Sequence, residues 1–403
     1  MPPFGLKFTV SAPGKVILFG EHSVVFGKPA LAASINKRTT LVFETKNSDV
    51  LDLDFSMLNL TLSLPLKEVQ EILQKFTLEN SNLVNQDYQI AFNERLIDSV
   101  DNFQLLERSQ KLSIFCFFYL LYRFSNATQV PMRGFRIAVS SDLTVGAGTG
   151  SSASFSVCMA AALYHYFGVL RNSAEGDAKI GSFTAQDKKI INDYAFACEQ
   201  IIHGRASGID NFVCTYGSII EMVSEDDEKN HNKTFKALEN VSKFRIFLVN
   251  TGISRSTARM VQLVRDSHSR NTFVVDAILN TMGLIATSAC SVLTELKRNE
   301  ENSLDETYAA EFKKLEDLVS LNHGLLATLG VSHNSLDKIV NITKKYDLHS
   351  KITGAGGGGF AFTLIPPYRS GDVIFNCKRE LENNGFIVDD ITIGGSGVDI
   401  NFS

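Results

Sequence analysis

A chain of 403 residues exceeds what one hydrophobic core normally serves, so two domains are expected. Its 44% hydrophobic and 21% charged residues exclude a disordered or fibrous protein. A net charge of −5 excludes a general binder of nucleic acid or of acidic membrane surfaces, so an anionic ligand must be held by local devices such as helix N-termini and a few placed Lys or Arg.

In chain order, Phe8–Leu18 and Ser23–Ile35 read as β-rich segments around a turn at Gly20-Glu21-His22, and Thr39–Phe43 and Val50–Leu64 continue a sheet. Lys67–Phe76 is expected as a helix, Asn80–Asp101 as a polar surface insertion, and Leu105–Phe124 as a long helix. Its apolar run, Leu112–Tyr122, is too short to span a bilayer and suits a core helix. Gly134–Ser140 alternates Phe135, Ile137 and Val139 with more polar residues and predicts a strand, and Ala153–Phe167 predicts a buried helix. Arg171–Asp187 reads as a polar loop, Lys188–His203 as a helix ended by Gly204, and Tyr216–Val223 as a strand. The charge run Ser224–Lys233 is the strongest linker signal, which places the first domain at 1–230 and the second at 231–390. The second half predicts strand Phe244–Asn250, helices near Thr257–Asp266, Thr272–Arg298, Leu304–Leu329 and Asn334–Tyr346, strands Ser350–Thr353 and Gly359–Ile365, helix Ser370–Asn384 and strand Phe386–Ile393. That order is α+β rather than a βαβ repeat. Whether the end of the chain, about 391–403, returns to the first domain is open at this level.

Between the strand and helix of the middle region lies Asp142–Val157, DLTVGAGTGSSASFSV. Gly146, Gly148 and Gly150 allow a tight turn with close backbone approach, and the following helix aims its N-terminal N–H groups at the same place. This predicts an anion site for phosphate, against the plainer reading of a glycine turn with serine caps. The loop is not a P-loop, because Ser151 stands where the lysine would be, and not a dinucleotide loop, because the spacing is GxGxG. A second glycine cluster, Gly354–Gly359, matches GxGxxG, but a strand follows it rather than a helix. Either it is a hairpin turn, or the backbone there approaches a ligand closely.

Lys15 interrupts an otherwise apolar strand, as a solvated edge residue or as a cation for a phosphate. His22 alone reads as structural. Ser207 and Asp210 fit a capping box, which competes with Asp210 as a general base and Glu199 as a ligand for Mg²⁺. Arg255 and Thr257 either bind a substrate carboxylate or cap the helix they precede. The six cysteines show no CxxC and no His clustering, and MPPFGLKFTV lacks the long apolar run of a signal peptide; a reduced, cytoplasmic protein is expected.

Four stretches, PGKVILFGEHSVVFGKPALAAS, TVGAGTGSSASFSV, IHGRASGIDN and KITGAGGGGFAFTL, closely resemble the GHMP kinase superfamily, in family order, and within it the kinases of mevalonate. The resemblance implies a two-lobed fold, with an N-terminal lobe like ribosomal protein S5 domain 2, a ferredoxin-like C-terminal lobe and the active site in the cleft between them. It implies phosphorylation of the 5-hydroxyl of (R)-mevalonate by ATP with Mg²⁺, in isoprenoid and sterol synthesis. Asp210 would be the base, and Lys15 would lower the hydroxyl pKa and stabilise the transferring phosphoryl. Gly146, Ala147, Gly148, Thr149, Gly150, Ser151 and Ser152 would cradle the phosphates, with Ser141 and Asn59 near the nucleotide. Ser152 and Glu199 would hold Mg²⁺. Glu21, His22, Thr257, Ala355 and Gly356 would line the mevalonate side. A homodimer and inhibition by prenyl diphosphates are further implications, with no nucleic-acid or membrane partner. Sister kinases of phosphomevalonate, galactose or homoserine, and a catalytically silent ligand sensor, are the alternatives. Gly252 departs from the family pattern by removing a cation near the substrate side.

Overall fold

The computed structural model describes residues 5–79, 100, 103–128, 130–175, 181–204, 206–224, 233–238, 241–254, 256–298 and 306–402. Of the expected insertion at 80–101 only Val100 is described, and the expected linker is described only at its ends. Arg205 and Arg255 lie outside the described residues.

Twelve strands form one sheet among the described residues. In the first half these are β1 (Lys7–Phe19), β2 (Ala30–Thr45), β3 (Val50–Phe55), β4 (Leu60–Pro65), β5 (Phe135–Ser141), β6 (Ile219–Ser224) and β7 (Lys233–Ala237). In the second they are β8 (Phe244–Asn250), β9 (Ser350–Thr353), β10 (Phe360–Ile365), β11 (Ile387–Ile393) and β12 (Asp399–Phe402). The path β4-β3-β5-β2-β11-β8-β10-β9 runs through both halves of the chain. Strand β2 is the spine: it pairs with β1 along its length, with β6 at Ala30–Ala33, with β11 through the single pair Ile35–Ile393, and with β5 at Thr39–Thr45. All pairings are antiparallel except β3 with β5.

The helices are α1 (Leu66–Glu79), α2 (Arg108–Thr128), α3 (Ser151–Glu175), α4 (Ala185–His203), α5 (Ile209–Tyr216), α6 (Thr257–Arg270), α7 (Thr272–Arg298), α8 (Glu306–Thr328), α9 (Asn334–Lys345) and α10 (Gly371–Asn383). Helix α3 lies against β1 and β2, where Val157–Leu163 are wholly buried; its run of small residues brings it close to the sheet. Helices α3 and α7 are long and apolar enough by composition to cross a bilayer, yet α3 is the centre of the first core. In the second half, strand residues alternate between two cores. Ile246 and Leu248 of β8 face α7 and α8, in a cluster that also takes Val16, Leu18 and Ile35 from the first half. Phe247 and Val249 face α9 and α10. A sheet buried on both faces explains why FRIFLVN is almost continuously apolar.

Several boundaries differ from expectation for local reasons. Ser23–Phe26 is a 3₁₀ turn, not strand, because His22 at φ 61° and Gly27 at φ 76° close it at both ends. The expected loop Arg171–Asp187 is shorter: α3 continues to Glu175, and Thr184 with Asp187 forms a capping box that starts α4 at Ala185. The end of the chain divides. Residues 391–393 stay in β11 beside β8, whereas β12 pairs with β1 from Phe8–Phe402 to Ser11–Asp399, and its Ile400 with the preceding Val398 is buried in the first core. Strands β6 and β7 flank the charge run and pair with each other. We propose on that basis that the first lobe extends through Ala237.

Candidate active site

A cleft of about 650 Å³ opens between the two glycine clusters. One wall is the 144–150 loop, where Gly146, Gly148 and Gly150 have φ of 74°, 82° and 78°. These left-handed conformations strain residues with a Cβ by about 1–2 kcal/mol each, which is the physical reason for three glycines. Ser151 and Ser152 open α3 at the cleft wall.

Lys15 reaches this wall through an irregularity in β1. Proline has no N–H to give the ladder, and the β1–β2 register shifts between Pro13 and Lys15. The Lys15 amide instead donates to the Thr149 carbonyl at 2.8 Å, and its side chain crosses Gly150. A Cβ on Gly150 would sit 2.9 Å from Lys15 Cγ. Gly150→Ala should therefore displace the lysine stem and lower kcat about tenfold, a loss typical of sub-ångström misplacement in an active site, with a smaller change in melting temperature. Unchanged kcat in a folded variant would contradict this packing.

The Lys15 ammonium lies 3.1 Å from Asp210 Oδ1, with the lysine nearly buried and the aspartate half-exposed to the cleft. Asp210 is not a capping-box residue. The N-cap of α5 is Gly208, at φ 87° and without a side-chain cap hydrogen bond, which leaves Asp210 in the first turn facing Lys15.

Beside them Ser152 Oγ donates to Glu199 Oε2 at 3.1 Å and meets His203 Nε2 at 3.2 Å, while Ser156 Oγ donates to Glu199 Oε1 at 3.3 Å. Burial and the nearby Asp210 charge push the Glu199 carboxyl up to about 7, against the pull of the two serines and Lys15. Burial lowers His203, partly offset by Asp210. Because the Glu199 pKa is raised on folding, its contribution to stability is complete below about 4.5 and is lost as pH rises through about 7, by up to about 3 kcal/mol. Burial lowers the pKa values of His165, His203, His323 and His349, which gives a slope of opposite sign, so the Glu199 share is read as a difference: the melting temperature of the metal-free protein minus that of Glu199→Gln should fall from pH 5 to pH 8. The variant keeps the share of Glu316, also pushed up to about 7 by burial. A difference that does not change with pH would contradict the assignment.

The other expected residues divide into two groups. Thr257 and Ala355 line the cleft with Gly354. His22 Nε2 lies 2.9 Å from the Ala355 carbonyl; a carbonyl only accepts, so Nε2 carries the proton. Glu21 is buried against Lys351. Ser141 Oγ pairs with Thr39 Oγ1 and accepts from the Leu143 amide, bracing the entry to the loop. Asn59 ends a 3₁₀ turn at φ 52°, and its neighbours Met57 and Leu58 line the cleft. Ala147 packs on the second core, Thr149 is buried, and a Cβ on Gly356 would strike the Val331 carbonyl at 2.1 Å. His203 and Arg108 also line the cleft, and sequence reasoning missed both. The spacing Glu199–His203 on one helix face was a usable signal for the first; no local signal marks Arg108.

Residues 114–218 match the family described as GHMP kinases N terminal domain, and residues 304–384 match GHMP kinases C terminal. The mevalonate kinase of Mus musculus is 33% identical over 393 residues, covering 96% of this chain and 94% of the relative. The chain belongs to the mevalonate kinase family of GHMP kinases. The mevalonate kinase of Candida albicans is 32% identical over 402 residues, covering 98% of this chain and 90% of its own. The fold agrees: the crystal structure of L. major mevalonate kinase in complex with R-mevalonate superposes with a TM-score of 0.65 at 23% identity, covering 98% of this chain and 99% of that one. The expected two-lobed α+β GHMP fold is the fold observed.

Proposed function

We propose that this mevalonate kinase family member transfers the terminal phosphoryl group of ATP to the 5-hydroxyl of (R)-mevalonate, in isoprenoid and sterol synthesis. The observation that carries the reading is the Lys15–Asp210 pair, 3.1 Å apart, facing a glycine loop at a helix N-terminus. Phosphoryl transfer needs positioning and charge neutralisation more than covalent chemistry. Loop amides and the α3 N-terminus hold the phosphates. Asp210 accepts the hydroxyl proton as the oxygen attacks the terminal phosphorus, the bond from that phosphorus to the bridging oxygen breaks to release ADP, and the Lys15 ammonium stabilises charge on the alkoxide and the transferring group. Arg108 and His203 border the phosphate side of the cleft.

The donor set also suits Mg²⁺. Glu199 is a buried carboxylate repelled by Asp210, beside a serine hydroxyl, and a dication would relieve that repulsion. Ser152 and Glu199 would hold it. When bound, Mg²⁺ neutralises phosphate charge. The apolar side of the cleft, with Met57, Leu58, Leu112, Phe155 and Ile202, supports prenyl diphosphates as competing ligands. The exposed Phe273, Val274 and Leu284 on α7 support a homodimer, and six free thiols support a reducing, cytoplasmic setting.

Phosphorus NMR of a reaction with ATP and (R)-mevalonate tests the reading. One new phosphomonoester resonance coupled to a CH₂ group is expected. ATP hydrolysis without that resonance would overturn the acceptor assignment.

A further inference from the structure

The resemblance places Glu21 on the mevalonate side, but one oxygen of its carboxylate is already committed to a lysine. It accepts from Lys351 Nζ across 330 positions of sequence, and the two side chains are 1% and 0% exposed. Lys351 also donates to the Ile352 carbonyl at 2.7 Å and sits between the rings of Phe19 and Phe362, 5.6 and 5.1 Å from their centroids. An ammonium in such apolar surroundings is held only by a partner of opposite charge. The other Glu21 oxygen, Oε2, is buried without a hydrogen-bond partner among the described residues, and Glu21 is not among the residues that line the cleft.

The pair instead joins the two chain segments that build the acceptor end of the cleft. Glu21 adjoins His22, whose Nε2 donates to the Ala355 carbonyl; Lys351 lies in β9, the strand that runs into Gly354 and Ala355. Thr353 Oγ1 adds a third tie, donating to the Ile17 carbonyl at 2.8 Å and accepting from the Ile17 amide at 3.1 Å. The end of β1, which carries Lys15, is thus fastened to β9 and its glycine loop by an ion pair, a histidine–carbonyl bond and a threonine bridge. His22 is held at φ 61°, a conformation that a loosened turn would abandon.

We propose that Lys351 is a positioning residue for phosphoryl transfer: through Glu21 it fixes His22 and Ala355 opposite Lys15, and Glu21 acts on this lysine and not on the acceptor. The inference rests on mevalonate as the acceptor, so mevalonate-dependent turnover of the unaltered protein is measured first; its absence would be a failure of that reading and not of this one.

A double-mutant cycle then decides. Lys351→Met and Glu21→Gln should each raise KM for mevalonate about tenfold, with KM for ATP changed less than about twofold, as expected for misplacement confined to the acceptor end. The neutral double variant lacks the same tie as either single variant, so it should be no worse than either, about tenfold in KM and not the hundredfold of two independent effects. Lys351→Arg keeps the charge and alters the shape. It guards against a single variant that does not fold, and should retain near-normal melting while raising KM for mevalonate several-fold. Effects that add to about a hundredfold in the double variant, or a Lys351→Met protein with unchanged KM for mevalonate beside an impaired Glu21→Gln, would show that Glu21 acts on the acceptor directly. A Lys351→Arg protein with unchanged KM would show a role in stability only. Either result overturns the proposal.

Discussion

Asp210→Asn is expected to lose about 10³-fold in kcat, within the 10²–10⁴-fold that a positioned general base supplies. The amide preserves the shape of the side chain but cannot take the hydroxyl proton. Because Asp210 is half-exposed and opens α5 without capping it, its loss should leave the fold intact. The variant should bind ATP at least as well as the parent, since one negative charge has left the phosphate side of the cleft. Coupled ADP release measures the first effect and calorimetric titration of ATP the second. Full turnover in a folded Asp210→Asn protein would remove Asp210 from the mechanism.

Lys15→Met should cost about 10²–10³-fold in kcat, the range for deleting one group that stabilises transition-state charge, with a rise in KM for ATP. Lys15→Arg should not restore activity. The lysine stem passes beneath Gly150 with its amide fixed on Thr149, and the longer, forked guanidinium does not share that path. Restoration by arginine would mean that charge alone matters and that the path through the glycine loop does not.

The sequence made the chemistry more legible than the topology. Each functional stretch carries its own local signal: a lysine in an apolar strand, glycines beyond any turn requirement, and a carboxylate beside an apolar stripe. Helix Thr272–Arg298 and strand Ser350–Thr353 were readable to the residue, because strong periodicity and a flanking glycine cluster leave little freedom. Strand β12 was not, since four residues give too little alternation to show which sheet they join. The β6–β7 hairpin was hidden because its connection is a charge run, which reads the same whether it joins strands or domains. The competing cap at Asp210 satisfied the spacing rule and failed on backbone conformation, as Gly208 enters α5 left-handed. Arg108 reaches the cleft only through the packing of α2 beside the loop, and Lys351 acquires its partner only when β1 meets β9. Such pairings across hundreds of residues leave no trace in local pattern.

The most direct test of the central claim is kcat/KM for a panel of acceptors, (R)-mevalonate, phosphomevalonate, galactose and homoserine, with Mg-ATP in a coupled assay of ADP release. The account predicts turnover with (R)-mevalonate at least about 10²-fold above any other, the discrimination expected of a site whose buried polar groups are matched to one acceptor. A preference for another alcohol, or ATP binding without transfer to any of them, would contradict it.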